Sequence, residues 1–235
     1  MTEIKKRLLD ITTSIHNAEK KAQRSSNAVQ LLAVSKTWPA EIVQQAVDAG
    51  QYHFGENYLQ EALTKINALP NLKIVWHFIG PIQSNKTKDI AQNFDWVQSV
   101  DRFKIAQRLS NQRPENMAKL NVCIQVNIDN EISKSGVSAI MLLPLAEQIS
   151  QLDHIQLRGL MIIPTKTDDH QQQQLSFQKA RLLFDQLATI YPNIDTLSMG
   201  MSADMVIAIS QGSTMVRIGT GLFGQRGATK GTSIN

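Results

Sequence analysis

The sequence predicts an α/β protein: a single TIM-type (β/α)8 barrel with an extra N-terminal helix. Three observations carry that prediction. Short apolar runs alternate with helix-period patterns almost to the end of the chain, as parallel βα units require. The 235 residues are enough for one α/β barrel as a single unit. The first apolar run leads into Ser35-Lys36-Thr37-Trp38-Pro39 and not into a Gly-x-Gly-x-x-Gly loop, which disfavours a doubly wound dinucleotide fold.

Taken in order, Ile4, Leu8, Ile11 and Ile15 share one helical face, so residues 1–26 are expected to pack as a helix on the barrel. Strands are expected at 31–34, 52–54, 74–79, 96–100, 122–128, 157–162, 196–198 and 215–218. Between them, Ile42, Ala46 and Ala49 form a helical stripe, as do Leu59, Ala62, Leu63, Ile66 and Leu69. Met141, Leu142, Leu145, Ala146 and Ile149 make a third, and Ala180, Leu183, Phe184 and Leu187 a fourth. Pro39 with Glu41, and Asp101 ahead of its helix, supply start signals. Gln171 to Gln174 is the one low-complexity stretch, and no long linker interrupts the pattern. Residues 1–235 therefore read as one domain, with 227–235 as a short tail.

Composition narrows the partners. Apolar residues at 42% and charged residues at 19% describe an ordinary globular chain. The net charge of +4 is far from that of a nucleic-acid arm. Its local clusters, Lys5, Lys6, Arg7 and Lys20, Lys21, Arg24, lack interleaved aromatics and read as a solvated helix face. Cys123 is the single cysteine and sits in an apolar run, as a core thiol of a reducing compartment would. The N-terminus is too polar for a secretory signal, and no apolar run approaches the roughly 20 residues that span a bilayer. A soluble, cytoplasmic monomer with no nucleic-acid or membrane partner is expected. The five His form no His-x-x-x-His or Cys-His set, so no metal site is indicated. Gly-x-Ser-x-Gly and Gly-x-x-x-x-Gly-Lys-Ser/Thr are both missing, which weakens hydrolase and nucleotide-hydrolase readings.

In such barrels, functional groups gather where strands end. Lys36 lies two residues past the first strand, where a desolvated amine near other cations deprotonates readily enough to form a Schiff base. The segments from Ser198 to Met205 and from Gly212 to Gly221, around the last two strands, combine glycines with Ser and Thr hydroxyls. That is the make-up and the location of a phosphate cup. Arg217 ends the eighth strand. His77 breaks the apolar run from Ile74 to Ile79, and Asn57 follows the second strand, facing the same mouth or capping the next helix.

Seven motifs in order carry a resemblance: Ala33-Val34-Ser35-Lys36-Thr37, Phe54-Gly55-Glu56-Asn57, the run from Trp76 to Lys86, Ser133-Lys134-Ser135-Gly136, Arg158-Gly159-Leu160-Met161, Gly200-Met201-Ser202 and Val216-Arg217-Ile218-Gly219-Thr220. From about Leu31 to Arg226 the chain resembles the pyridoxal phosphate homeostasis proteins, relatives of the alanine racemase N-terminal barrel. The resemblance implies pyridoxal 5′-phosphate (PLP) held as a Schiff base on Lys36, with its phosphate near Ser202, Gly219 and Thr220 and Arg217 beside the pyridine nitrogen. Asn57, His77 and Met201 join this expected cofactor set, and Lys134 is weighed as a transient second contact against a plain solvated lysine. The resemblance further implies a role in PLP supply and in amino-acid and keto-acid balance, PLP-dependent apo-enzymes as recipients, and no assigned catalytic residue. The alternative is a PLP-dependent amino-acid racemase. Racemisation by two bases needs an acid/base on each face of the α-carbon, and residues 227–235 are too short for the second domain that supplies one in alanine racemases.

Overall fold

Eight parallel strands close on themselves in chain order in the computed structural model, which describes residues 2–225. They are β1 (Gln30–Val34), β2 (His53–Glu56), β3 (Val75–Phe78), β4 (Trp96–Val100), β5 (Leu120–Val126), β6 (Ile155–Ile162), β7 (Thr196–Ser198) and β8 (Met215–Ile218). The circle closes where β8 pairs with β1, setting Leu32 opposite Arg217 and Ala33 opposite Ile218. Every expected strand is present, three of them with the expected bounds. The tail at 227–235 lies outside the described residues.

Period two divides the strand side chains between two layers. The outward set, including Ala33, Phe54, Phe78, Val97, Ile124 and Leu160, joins one hydrophobic cluster with the surrounding helices. The inward set fills the lumen: Trp96, Cys123 and Met161 form a separate buried cluster with Val75 against it.

The helices are α1 (Glu3–Lys21), α2 (Ala40–Asp48), α3 (Leu59–Ala68), α4 (Thr87–Asn93), α5 (Phe103–Gln112), α6 (Leu142–Ser150), α7 (His170–Ile190), α8 (Met205–Ser210) and α9 (Thr220–Phe223). Helix α2 begins where the sequence signals it, with Pro39 at the cap and Glu41 in the first turn. Helix α5 starts at Phe103, two residues beyond Asp101; Arg102 occupies the cap position and pairs with the Asp101 carboxylate. Asp169 caps α7 by accepting from the N–H groups of Gln171 and Gln172. On α7, Phe177, Ala180, Phe184 and Leu187 are buried; each of the larger three contributes roughly 1.5–3 kcal/mol of hydrophobic stabilisation.

Helix α1 is shorter than residues 1–26. It ends at Lys21, and the left-handed residues Gln23 and Asn27 turn the chain toward β1. Its apolar face buries Ile4, Leu8, Ile15 and Ala18. Beside them the buried carboxylate of Glu19 accepts from the N–H groups of Asn27 and Val29. Arg24 departs from the solvated face read for its cluster: its guanidinium donates to the carbonyls of Ile209 and Ser213 and so ties the turn after α1 to α8 and to the loop before β8. Among the described residues no helix is long and apolar enough to cross a membrane.

Candidate functional site

Alternation along β1 decides where Lys36 points. Leu32 packs against the Cα position of Gly55 on the adjacent strand, and Val34 lines the cavity above it, so Lys36, two further on, continues the inward set. Its neighbours are fastened from the outside. Ser35 donates its hydroxyl to Glu56 Oε1 at 2.6 Å, donates its N–H to the Gly55 carbonyl at 3.1 Å, and accepts at its own carbonyl from Lys65 Nζ at 2.7 Å. Thr37 adopts a left-handed φ of 68° and donates its N–H to Glu61 Oε1.

Lys65 of α3 binds this arrangement together, with both Glu56 Oε1 and Glu61 Oε1 at 2.6 Å from its ammonium. Glu56 is fully buried and Lys65 nearly so. Burial pushes the Glu56 carboxyl above the ordinary carboxylate range, against the pull of Lys65, and its second oxygen, Oε2, is buried without a partner. Buried charges persist where they are paired. Here the pair immobilises the turn that carries Lys36, whose own half-buried amine makes no hydrogen bond or ion pair among the described residues.

Across the mouth, two loops close in. After β7, Gly200 takes φ 96°, and the Met201 N–H donates to Asp204 Oδ1 at 2.5 Å, folding the Met201-Ser202-Ala203 turn. A Cβ at Gly221 would lie 3.2 Å from Ser202 Oγ, so this loop and the start of α9 sit close together. Thr220 and Gly221 open α9, and N–H groups of a first turn have no acceptor within the helix.

Arg217 rises from the lumen between these loops, 5% exposed. Its Nη1 donates to the carbonyl and hydroxyl oxygens of Ser198, and its Nη2 to the Ile162 carbonyl, all at 2.8 Å. Burial draws its pKa down to about 10, with Asp204 and then Cys123 opposing, so it stays cationic at neutral pH.

These groups enclose one cavity of about 370 Å³ at the carboxyl ends of the strands. Lys36, Asn57, Met201, Ser202, Arg217, Gly219 and Thr220 line it, with Val34, Ile79, Met161 and Ile163 as apolar walls. The walls were legible only as strand-end residues. A slightly larger cavity of about 440 Å³ lies between α1 and the opposite end of the barrel; Lys5, Thr12, His16, Asn27, Gln30 and Gln51 line it, and no arginine does.

Of the expected cofactor set, His77 is the one residue that does not line this cavity. It lies deeper in the lumen, fully buried, with Nδ1 toward Gln98 and Nε2 toward His53. Asn57 is no helix cap either: Tyr58 holds that position, and Asn57 Oδ1 is buried at the cavity wall without a partner. Lys134 is tied into its own loop, with Nζ 2.8 Å from Glu131 Oε2 and 2.9 Å from the Pro164 carbonyl. Among the described residues no group of His, Cys, Asp and Glu is arranged to hold a metal.

The chain matches the family model of the alanine racemase N-terminal domain over residues 9–227. It is 53% identical over 230 residues to the pyridoxal phosphate homeostasis protein of Vibrio cholerae, covering 96% of this chain and 98% of that protein. The protein of the same name from Escherichia coli K12 is 46% identical over 233 residues, covering 98% and 100%. Among solved structures, PipY of Synechococcus elongatus with PLP bound superposes with a TM-score of 0.79 at 36% identity, covering 94% of this chain and all of that one. An alanine racemase of Clostridium difficile shares the fold alone, with a TM-score of 0.71 at 14% identity over 94% of this chain and 58% of the racemase.

Proposed function

From the premise that this chain belongs to the pyridoxal phosphate homeostasis proteins, we propose that it binds PLP through Lys36 and serves PLP supply without turning over a substrate. The observation that carries the reading is the single cavity in which an amine, a hydroxyl-rich glycine turn and a buried guanidinium converge.

The residues present fit the group. PLP supplies an aldehyde that condenses with a primary amine, on a pyridine ring that bears a phosphate dianion. Lys36 offers an amine with no competing partner among the described residues, held inward by the Ser35 and Thr37 tethers. Ser202 and Thr220 offer hydroxyls, and the Gly219-Thr220-Gly221 turn offers backbone N–H groups beside glycine Cα atoms, where an anion approaches closely. Asn57 Oδ1 is a buried acceptor awaiting a donor. Val34, Ile79, Met161 and Ile163 exclude water from the faces of a flat ring.

Arg217 sets the character of the site. A guanidinium can only donate, so toward a ring nitrogen it favours the unprotonated form. A ring kept neutral in this way withdraws electrons weakly, which suits a carrier better than carbanion chemistry. Recipients in this reading are PLP-dependent apo-enzymes, and its place of work is the cytoplasm. The racemase likeness, being of fold alone, adds no activity.

Borohydride reduction of the yellow protein followed by peptide mass mapping tests the reading. A pyridoxyl adduct on Lys36, and loss of the visible absorbance in Lys36→Ala, are expected; an adduct on another lysine with Lys36 unmodified overturns it. Chiral analysis after incubation with alanine or serine enantiomers tests the second half, since turnover near 1 per second or faster, on the order of ordinary enzymes, would make the protein a racemase.

A further inference from the structure

Below the cavity, a file of buried polar groups crosses the lumen in one direction. Arg217 Nη1 donates to Ser198 Oγ at 2.8 Å, and Ser198 Oγ donates to Gln98 Oε1 at 2.7 Å. Gln98 Nε2 then faces His77 Nδ1 at 3.0 Å, and His77 Nε2 faces His53 Nδ1 at 3.1 Å. Ser198, Gln98 and His77 are each fully buried.

The direction is imposed from the top. Arginine carries only donors, so Ser198 must accept from it and give its one hydrogen to Gln98. That fixes the amide of Gln98, oxygen toward Ser198 and nitrogen toward His77. His77 must then accept at Nδ1 and donate from Nε2, which is the neutral tautomer. Burial pushes His77 well below the ordinary histidine value, and His53 beside it acts in the same sense. Each member has one arrangement that satisfies all the others. A buried network of this kind is rigid when complete and costly when one member is lost.

We propose that Ser198 and Gln98 are positioning residues that hold the Arg217 guanidinium in one plane at the cavity floor, so that its remaining N–H groups meet the PLP ring nitrogen in one orientation. The inference rests on the PLP reading above and deepens it. The phosphate turn and Lys36 fix two ends of the cofactor, and the lumen file governs the third contact, the one that sets the electronic state of the ring. His77, three hydrogen bonds removed from Arg217, acts only through Gln98 and Ser198. The titratable groups whose charge acts on Arg217 are Asp204 and then Cys123, and Lys36 lines the same cavity.

The test uses the full chain loaded with PLP that is isotopically labelled at its ring nitrogen. Wild type, Ser198→Ala, Gln98→Met and the packing control Val75→Ala are compared by the NMR shift of that nitrogen and by the rate of PLP loss on dilution. Val75 belongs to the same lumen but not to the file. Ser198→Ala and Gln98→Met are expected to move the ring-nitrogen shift and to speed PLP loss about tenfold, the effect of weakening one charge-assisted hydrogen bond. Val75→Ala is expected to lower the melting temperature while leaving both readouts at the wild-type value. A folded Ser198→Ala protein with wild-type shift and wild-type rate overturns the proposal even where Gln98→Met does not fold, as does an equal effect from Val75→Ala. Failure of wild type to take PLP on Lys36 overturns the PLP reading instead, and is seen before any variant is compared.

Discussion

Replacing Lys65 by methionine strips the cation from the support behind Lys36 while keeping an unbranched apolar stem of similar reach. In the native protein Lys65 Nζ lies 2.7 Å from the Ser35 carbonyl and 2.6 Å from both Glu56 Oε1 and Glu61 Oε1, with Lys65 at 2% exposure and Glu56 at 0%. Removing one member of a buried pair costs about 3–5 kcal/mol. For a chain of this size that lowers Tm by roughly 6–20 °C, at about 2–4 °C per kcal/mol. The loss depends on pH. Burial already raises Glu56 above its ordinary value of 4.5, and Lys65 is the main group opposing it, so Lys65→Met raises it further. A carboxyl raised in the folded state binds its proton more tightly folded than unfolded. Its contribution is therefore fully present below about 4.5 and is lost as pH rises through the folded-state value. Urea unfolding at about pH 5 and about pH 8 should show a much larger deficit at the higher pH. Adding Glu56→Gln, which keeps an acceptor for Ser35 without a charge, should restore more than half of the loss. A deficit under about 1 kcal/mol at both pH values, the size of an exposed pair, would refute the reasoning, as would a slope with pH no steeper than that of wild type.

Gly80→Ala should destabilise by about 1–3 kcal/mol and weaken PLP binding, read by urea midpoint and PLP titration, because its Cβ would lie 2.1 Å from the Asn57 carbonyl oxygen and must displace that backbone. Cys123, fully buried with its thiol pushed up first by burial and then by Asp195, should resist iodoacetamide at about pH 8 in the native protein and react only in urea. Glu131 is held down to about 2, first by its hydrogen bond from Lys134 and then by those from Ser133 and Thr165. A lowered carboxyl holds its ties above the ordinary value of 4.5 and loses them as pH falls through the folded value, so amide-exchange protection over residues 129–136 should stay level down to about pH 4 and drop below it.

The barrel was legible because its strands are short apolar runs that alternate with helix-period stripes; β4, β7 and β8 even begin and end where the pattern places them. The ends of β1, β2, β3, β5 and β6 differ by a residue or more, since a barrel's register is fixed by neighbouring strands and not by local hydrophobicity. That Lys36, Ser202, Gly219 and Thr220 line one cavity follows from their places just past the ends of strands. The depth of His77 was not legible, because its position on β3 faces the axis below the rim, and one residue's height along a strand is invisible in composition. Lys65 sits between Ala62 and Ile66 on an apolar helical stripe, and Gln98 within Trp96-Val97-Gln98-Ser99-Val100; a polar residue inside an apolar pattern is the signal by which both were open to detection. What no sequence pattern held was the partnering: Lys65 meets Glu56 through the packing of α3 against β2, and Gln98 meets Ser198 only when the sheet closes.

That closure has a temporal side. Leu32 of the first strand stands opposite Arg217 of the last, and the cavity is shared between the loop that follows β1 and the turn that follows β8. Lys36 leaves the ribosome early and must wait for nearly the whole chain before its companions exist. Joining the two ends of so long a loop is an entropic burden met only once the intervening strands are in place. In the function proposed above, a half-made chain thus holds the Lys36 amine without the turn that would grip an aldehyde's anionic end, and capture of the cofactor would mark that the ring of strands is complete.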